Sequence, residues 1–75
     1  MTICSLVVFA QAAQTGSVEE KLLQIEGVEI HARDPSGKMV VTIDHPDRTH
    51  CSESIMEMSR MAGVLSTALV YEYHE

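Results

Sequence analysis

The sequence is short of basic charge, of cysteine and of long hydrophobic runs, and each shortage removes a class of function. Five Lys and Arg stand against eleven Asp and Glu, a formal net charge of -6 at pH 7. Neither nucleic acid nor an anionic membrane is therefore an expected partner, and a basic one is favoured. The two cysteines, Cys4 and Cys51, lack the short spacing of a zinc site and form no disulfide framework. Both fall on positions read below as core, as free buried thiols in a reducing compartment. The run Ile3-Cys4-Ser5-Leu6-Val7-Val8-Phe9 is too short to span a bilayer, so no stable membrane insertion is expected. No basic region precedes it, and its removal as a leader would delete the best strand of a small domain; the expected location is cytoplasmic. A glycine-rich phosphate loop and a nucleophile in a strained-turn motif are both missing, and the carboxylates are spread at ordinary spacings over solvated helix faces. No enzyme activity and no cofactor are expected. His45, His50 and Cys51, with the more distant His31, are the residues from which a metal site could be argued. On a helix, however, His50 sits about 100° round from a core-facing Cys51, and ligands have to converge.

What is present reads as one domain over residues 1–75. A chain of this length buries only about 60% of the surface its unfolded form exposes, so its core is thin. The Ile3 to Phe9 run is apolar at both parities, the mark of a central strand. Cys4, Leu6 and Val8 are assigned to the core; Ile3, Ser5, Val7 and Phe9 to the more open face, because Ser5 is the polar break. Ser17-Val18-Glu19-Glu20 has the spacing of a capping box, and Val18, Leu22 and Ile25 then form one helical stripe. A helix starting near Ala13 is the alternative, with Gly16 in its first turns. Gly27 supplies the helix stop. Val28, Ile30 and Ala32 alternate with Glu29, His31 and Arg33 as a half-exposed strand. Asp34-Pro35-Ser36-Gly37 has turn residues in their preferred places. The strand Lys38 to Asp44 then puts Met39, Val41 and Ile43 on one side and Val40 and Thr42 on the other. Asp47 is the expected N-cap of a second helix that buries Cys51, Ile55, Met58 and Ala62 and leaves Met56 or Met61 exposed. Gly63 ends that helix, and a last strand runs from Val64 to Tyr71 with Leu65, Leu69 and Tyr71 inward.

Strand, helix, strand, strand, helix, strand is the α+β ferredoxin-like split βαβ plan, βαββαβ. Right-handed crossovers put the first and third strands at the centre of a four-stranded antiparallel sheet, with the second and fourth at its edges and two helices on one face. The other face is left bare, and an apolar centre with a polar margin there marks a binding surface. The expected peptide-binding set is Ser5, Val7, Phe9, Glu29, His31, Val40, Thr42, Ser66, Ala68, Val70 and Glu72, with Glu29, Asp44 and Glu72 as acidic candidates for a basic ligand.

Three stretches, Cys4-Ser5-Leu6-Val7-Val8, Asp34-Pro35-Ser36-Gly37-Lys38 and Gly63-Val64-Leu65-Ser66-Thr67-Ala68-Leu69-Val70-Tyr71, resemble in order and spacing the NapD family of small cytoplasmic chaperones for periplasmic nitrate reductase. The resemblance covers nearly the whole chain. It implies a ferredoxin-like fold and binding to the twin-arginine signal peptide of the catalytic-subunit precursor, NapA, holding back export until the molybdenum cofactor is in place. It carries no catalytic motif. Ala12-Ala13 and Gly16 depart from the regular amphipathic first helix that the resemblance implies. Two other readings of the same architecture stand beside it. One is a small-molecule-sensing regulatory domain that binds at a dimer or helix-strand boundary; the other is a homo-oligomer that buries the open face against itself.

Overall fold

A computed structural model describes residues 2–74. The chain runs β1 (Thr2–Ala10), a 3-10 turn (Ala12–Gln14), α1 (Thr15–Leu23), β2 (Val28–Arg33), β3 (Lys38–His45), α2 (Arg48–Arg60) and β4 (Val64–His74). The strands form one antiparallel sheet in the order β2-β3-β1-β4, the ferredoxin-like arrangement expected from the element order. β1 and β3 pair without interruption, from Thr2 opposite His45 to Phe9 opposite Lys38. Strand side chains alternate between faces, so this ladder sorts the two central strands cleanly. Cys4, Leu6, Val8 and Ala10 are buried on one side with Met39, Val41 and Ile43. Val18 and Leu22 of α1 and Cys51 and Met58 of α2 complete that core, with Ile25, Ile30, Ile55, Met61 and Val64 packed at its margin. Both helices therefore cover the same face.

α2 begins where Asp47 accepts a hydrogen bond from the Thr49 amide at 2.9 Å. Its buried face differs from the expected one at two positions. Ala62 lies beyond the helix and is exposed, whereas Ser54, three residues on from Cys51 and four before Met58, is buried. The Ser54 hydroxyl donates to the His50 carbonyl at 2.7 Å, which satisfies it without a partner from outside the helix. Met56 is the exposed methionine, and Met61 packs against the core.

The capping box does not form. α1 already begins at Thr15, directly after the 3-10 turn, and has no side-chain cap. The cause lies outside the segment. The Ala10 amide donates to the Gly37 carbonyl at 2.9 Å and the Gln11 amide to the Gly63 carbonyl at 2.8 Å. With its exit from β1 pinned to both turns, the chain starts to coil at Ala12 and carries Gly16 and Ser17 into the helix. A Cβ built on Gly16 meets nothing within 4 Å, and its φ is not positive. Gly16→Ala should therefore stabilise the protein by about 0.5–1 kcal/mol, the ordinary helix-interior difference. Thermal melts of the two proteins check this, and a lowered midpoint would mean that residue 16 is not in helical backbone.

Cys4 and Cys51 are free and buried, as expected. Burial, with the nearby Cys51 sulfur and Glu72 carboxylate adding to it, pushes the Cys4 thiol up to about 11 from an ordinary 9.0; burial also raises Cys51. The thiolate is the reactive form, so both should label slowly with thiol reagents at pH 8 until the protein unfolds. The folded pKa lies above the unfolded one, so this burial costs nothing below pH 9 and should lower stability as pH rises from about 9 to about 11. Fast labelling of either thiol in the native protein would place it at the surface.

Candidate functional site

The face of the sheet opposite the helices is built from the second parity of the two central strands. Ile3, Ser5, Val7 and Phe9 of β1 stand opposite Asp44, Thr42, Val40 and Lys38 of β3 in turn. All but Phe9, Asp44 and Lys38 are half-buried, because the neighbouring strands shade them while no helix does. The edge strands complete the surface less regularly, since each carries a β-bulge, and a bulge shifts every later side chain to the other face.

In β2 the extra residue is His31. Glu29 pairs with Thr42 and Ile30 with Val41, but Ala32 then pairs with Val40 and Arg33 with Met39. Ala32 thus lies on the open face and Arg33 on the helix side, the reverse of the simple alternation. There Arg33 pairs with Glu19 of α1, which holds the Glu19 carboxyl below its usual range, chiefly through their hydrogen bond. His31 itself reaches the open face: its Nε2 lies 2.6 Å from the Thr42 hydroxyl and 3.7 Å from the Glu29 carboxylate.

In β4 the register shifts twice, leaving Leu65 and Val70 as the residues without a partner on β1. Ser66 and Ala68 stand on the open face opposite Phe9 and Val7, as expected from the sequence, but after Val70 it is Tyr71 opposite Ser5 and Tyr73 opposite Ile3 that occupy it. Tyr71, assigned inward by simple alternation, is 56% exposed. Glu72 moves the other way. It stands opposite Cys4 on the helix side, where its carboxylate accepts from Arg48 Nε at 3.0 Å. It is therefore no part of the open face, and of the three acidic candidates only Glu29 and Asp44 remain there. Leu69 does pair with Leu6 on the helix side, yet it is 52% exposed.

The open face consequently has a direction. At the end formed by the start of β1, Asp44 and Glu29 supply negative charge, with Tyr71 and Tyr73 across from them. Towards the other end, Val7, Phe9, Val40, Ala32 and Ala68 make an apolar band closed by Lys38. The tyrosines are the functional candidates that sequence reasoning missed, and only the Val70 bulge could have revealed them.

The histidines divide. His31 belongs to the open face and Cys51 to the core, but His45 and His50 stack with ring centroids 4.0 Å apart, and Glu26, from the α1–β2 connection, joins them. This trio lies at one end of the helix layer, away from the open face.

Comparison with known proteins agrees with the architecture. A family model described as NapD protein matches residues 1–75. Chaperone NapD of Escherichia coli (strain K12) is 31% identical over 74 residues, covering 97% of this chain and 85% of the relative. Chaperone NapD of Shigella flexneri is 31% identical with the same coverage. The solution structure of the E. coli Tat proofreading chaperone protein NapD matches with a TM-score of 0.85 at 31% identity, over 97% of this chain and 78% of that chain.

Proposed function

The chain belongs to the NapD family, and from that premise we propose that it is a cytoplasmic chaperone that binds the twin-arginine signal peptide of the NapA precursor across its open sheet face. Its relatives are named chaperones, one of them a Tat proofreading chaperone, which supports a chaperone role and points away from an enzyme. No helix among the described residues is long and apolar enough to cross a membrane, in keeping with a protein that meets its client before export.

The observation that carries the reading is the polarity of the open face. A twin-arginine peptide presents two guanidinium groups followed by an apolar segment. Guanidinium matches carboxylate in planar, bidentate geometry, so Asp44 and Glu29 receive the arginines while the band around Val7, Phe9 and Val40 receives the apolar segment. Charge sets orientation and on-rate, and apolar burial sets the lifetime of the complex. Occupation of the face is favoured over addition of a strand to an edge, since β2 and β4 are both bulged and bulges twist an edge away from further pairing. A bound signal peptide is withheld from the export machinery, which gives time for cofactor insertion into the client. The metabolite-sensing reading is weaker. A cavity of about 290 Å³ beside α1 and β2 contains Arg33, but Glu19 already neutralises that guanidinium.

Calorimetric titration with a twin-arginine signal peptide, and with the same peptide carrying two lysines in place of the arginines, tests the proposal. The arginine peptide should bind and the lysine peptide should bind at least about tenfold more weakly, because an ammonium cannot reproduce the bidentate contact. Affinity for the arginine peptide should fall but persist as ionic strength rises to about 0.5 M, where screening leaves apolar burial. Equal affinity for the two peptides, or none for either, would remove the signal-peptide role.

A further inference from the structure

We propose that Glu26, His45 and His50 form a binding site for one late first-row divalent cation, with zinc as the expected occupant. The three residues come from three separate segments, the α1–β2 connection, the end of β3 and the first turn of α2, and one ligand atom of each lies within 4.8 Å of the other two. Ligand atoms around a tetrahedral zinc are about 3.4 Å apart, given bonds of about 2.0–2.2 Å. The set therefore has to close by up to about 1.4 Å, and the two rings, stacked with centroids 4.0 Å apart, have to turn so that their in-plane lone pairs meet at one ion. Glu26, whose side chain is 78% exposed, moves most freely, and His45, 18% exposed, turns once its hydrogen bond from the Asp47 amide is released. Two imidazoles and a carboxylate suit zinc and its neighbours rather than magnesium or calcium, which prefer all-oxygen shells.

The hydrogen bonds locate the protons. The Asp47 amide donates to His45 Nδ1 at 3.0 Å, so neutral His45 carries its proton on Nε2, directed at the Glu26 carboxylate 3.2 Å away. That proton occupies the space between imidazole and carboxylate that the cation is to take. On metal uptake it moves to Nδ1, the Asp47 hydrogen bond is given up, and the Nε2 lone pair and a Glu26 oxygen turn to the ion. No net proton is lost from His45. His50 Nε2 donates to the Glu26 backbone carbonyl at 2.8 Å, which leaves Nδ1 of the neutral ring with its lone pair. An outer hydrogen bond from ring nitrogen to carbonyl is the support that ligating histidines usually have. Glu53, one turn on from His50, lines the same groove between the helices, and the fourth position is open to water.

The test is titration of the full chain with zinc followed by calorimetry and thermal melting, with cobalt as a spectroscopic probe and magnesium as a control. One equivalent of zinc should bind and raise Tm, cobalt should show the visible bands of a tetrahedral ion, and magnesium should do neither. Glu26→Gln, His45→Gln and His50→Gln should each weaken zinc binding at least about tenfold. Glu26 is exposed enough that Glu26→Gln folds regardless, and metal-free melts identify any histidine variant that does not. Absence of zinc binding by the parent overturns the proposal, as does binding that is undiminished in Glu26→Gln and His50→Gln.

Discussion

Val41→Lys is expected to leave the chain unfolded, while Val40→Lys, one residue away, should fold and lose peptide binding. Val41 is fully buried, between Leu6 on β1 and Ile30 on β2 and beneath the helices. An ammonium there has no partner and must be dehydrated, deprotonated or extruded by opening the core, at a cost of several kcal/mol. Domains have only about 5–15 kcal/mol in total, and small ones lie at the low end. Val40 points the other way, opposite Val7 and Ala32 on the open face, and is only half-buried. A lysine there can reach water along the face, so the melt should stay within a few degrees of the parent. It also places a cation in the middle of the apolar band, where it repels the arginines and admits water, and affinity for the twin-arginine peptide should fall by at least about tenfold, or about 1.4 kcal/mol. Circular dichroism melts and a peptide titration on each variant make the measurement. A cooperative, parent-like melt of Val41→Lys would mean that the faces of β3 are exchanged, and parent-like binding by Val40→Lys would take the peptide off the open face.

Gly37→Ala should destabilise the protein by about 3 kcal/mol or more, combining left-handed strain of about 1–2 kcal/mol with a backbone collision. Gly37 has φ +103°, and a Cβ on it would lie 2.0 Å from the Ala10 carbonyl oxygen. That oxygen cannot easily withdraw, because the Ala10 amide is bonded to the Gly37 carbonyl and so ties the β2–β3 turn to the end of β1. At about 4–8 °C per kcal/mol for a domain of this size, the midpoint should drop by more than about 10 °C. Gly16→Ala, the same chemical change in open helical backbone, should move it the other way. If both substitutions shift the midpoint alike, the turn is not held against β1 as described.

The two central strands were legible residue by residue. Cys4, Leu6 and Val8 on one side and Val7 and Val40 on the other follow from alternation alone, because β1 and β3 pair without a register shift and each is fixed by neighbours on both sides. The edge strands were legible only as strands. In β2 the alternation Val28, Ile30, Ala32 is valid until His31 intervenes, after which Ala32 and Arg33 exchange faces. In β4 the bulge at Val70 sends Tyr71 and Tyr73 to the open face and takes Glu72 away from it to Arg48. An edge strand is held by one neighbour, so an extra residue costs it few hydrogen bonds, and no local composition announces where that residue falls.

The sequence by itself determined the element order, the left-handed glycines Gly27 and Gly63 between each helix and the strand after it, the Asp47 cap, the turn at Gly37, the split between Val40 and Val41 and the acidic balance, since each rests on interactions within a few residues or on a strict period of two. Tertiary structure alone decided where α1 starts, which residues the edge strands present, and that Glu26 meets His45 and His50. Those outcomes depend on contacts between segments distant in the chain. The pinning of Ala10 and Gln11 by Gly37 and Gly63 overrides a capping box complete in its own four residues. A loop carboxylate becomes the neighbour of two imidazoles only after α1, β3 and α2 have packed on one another.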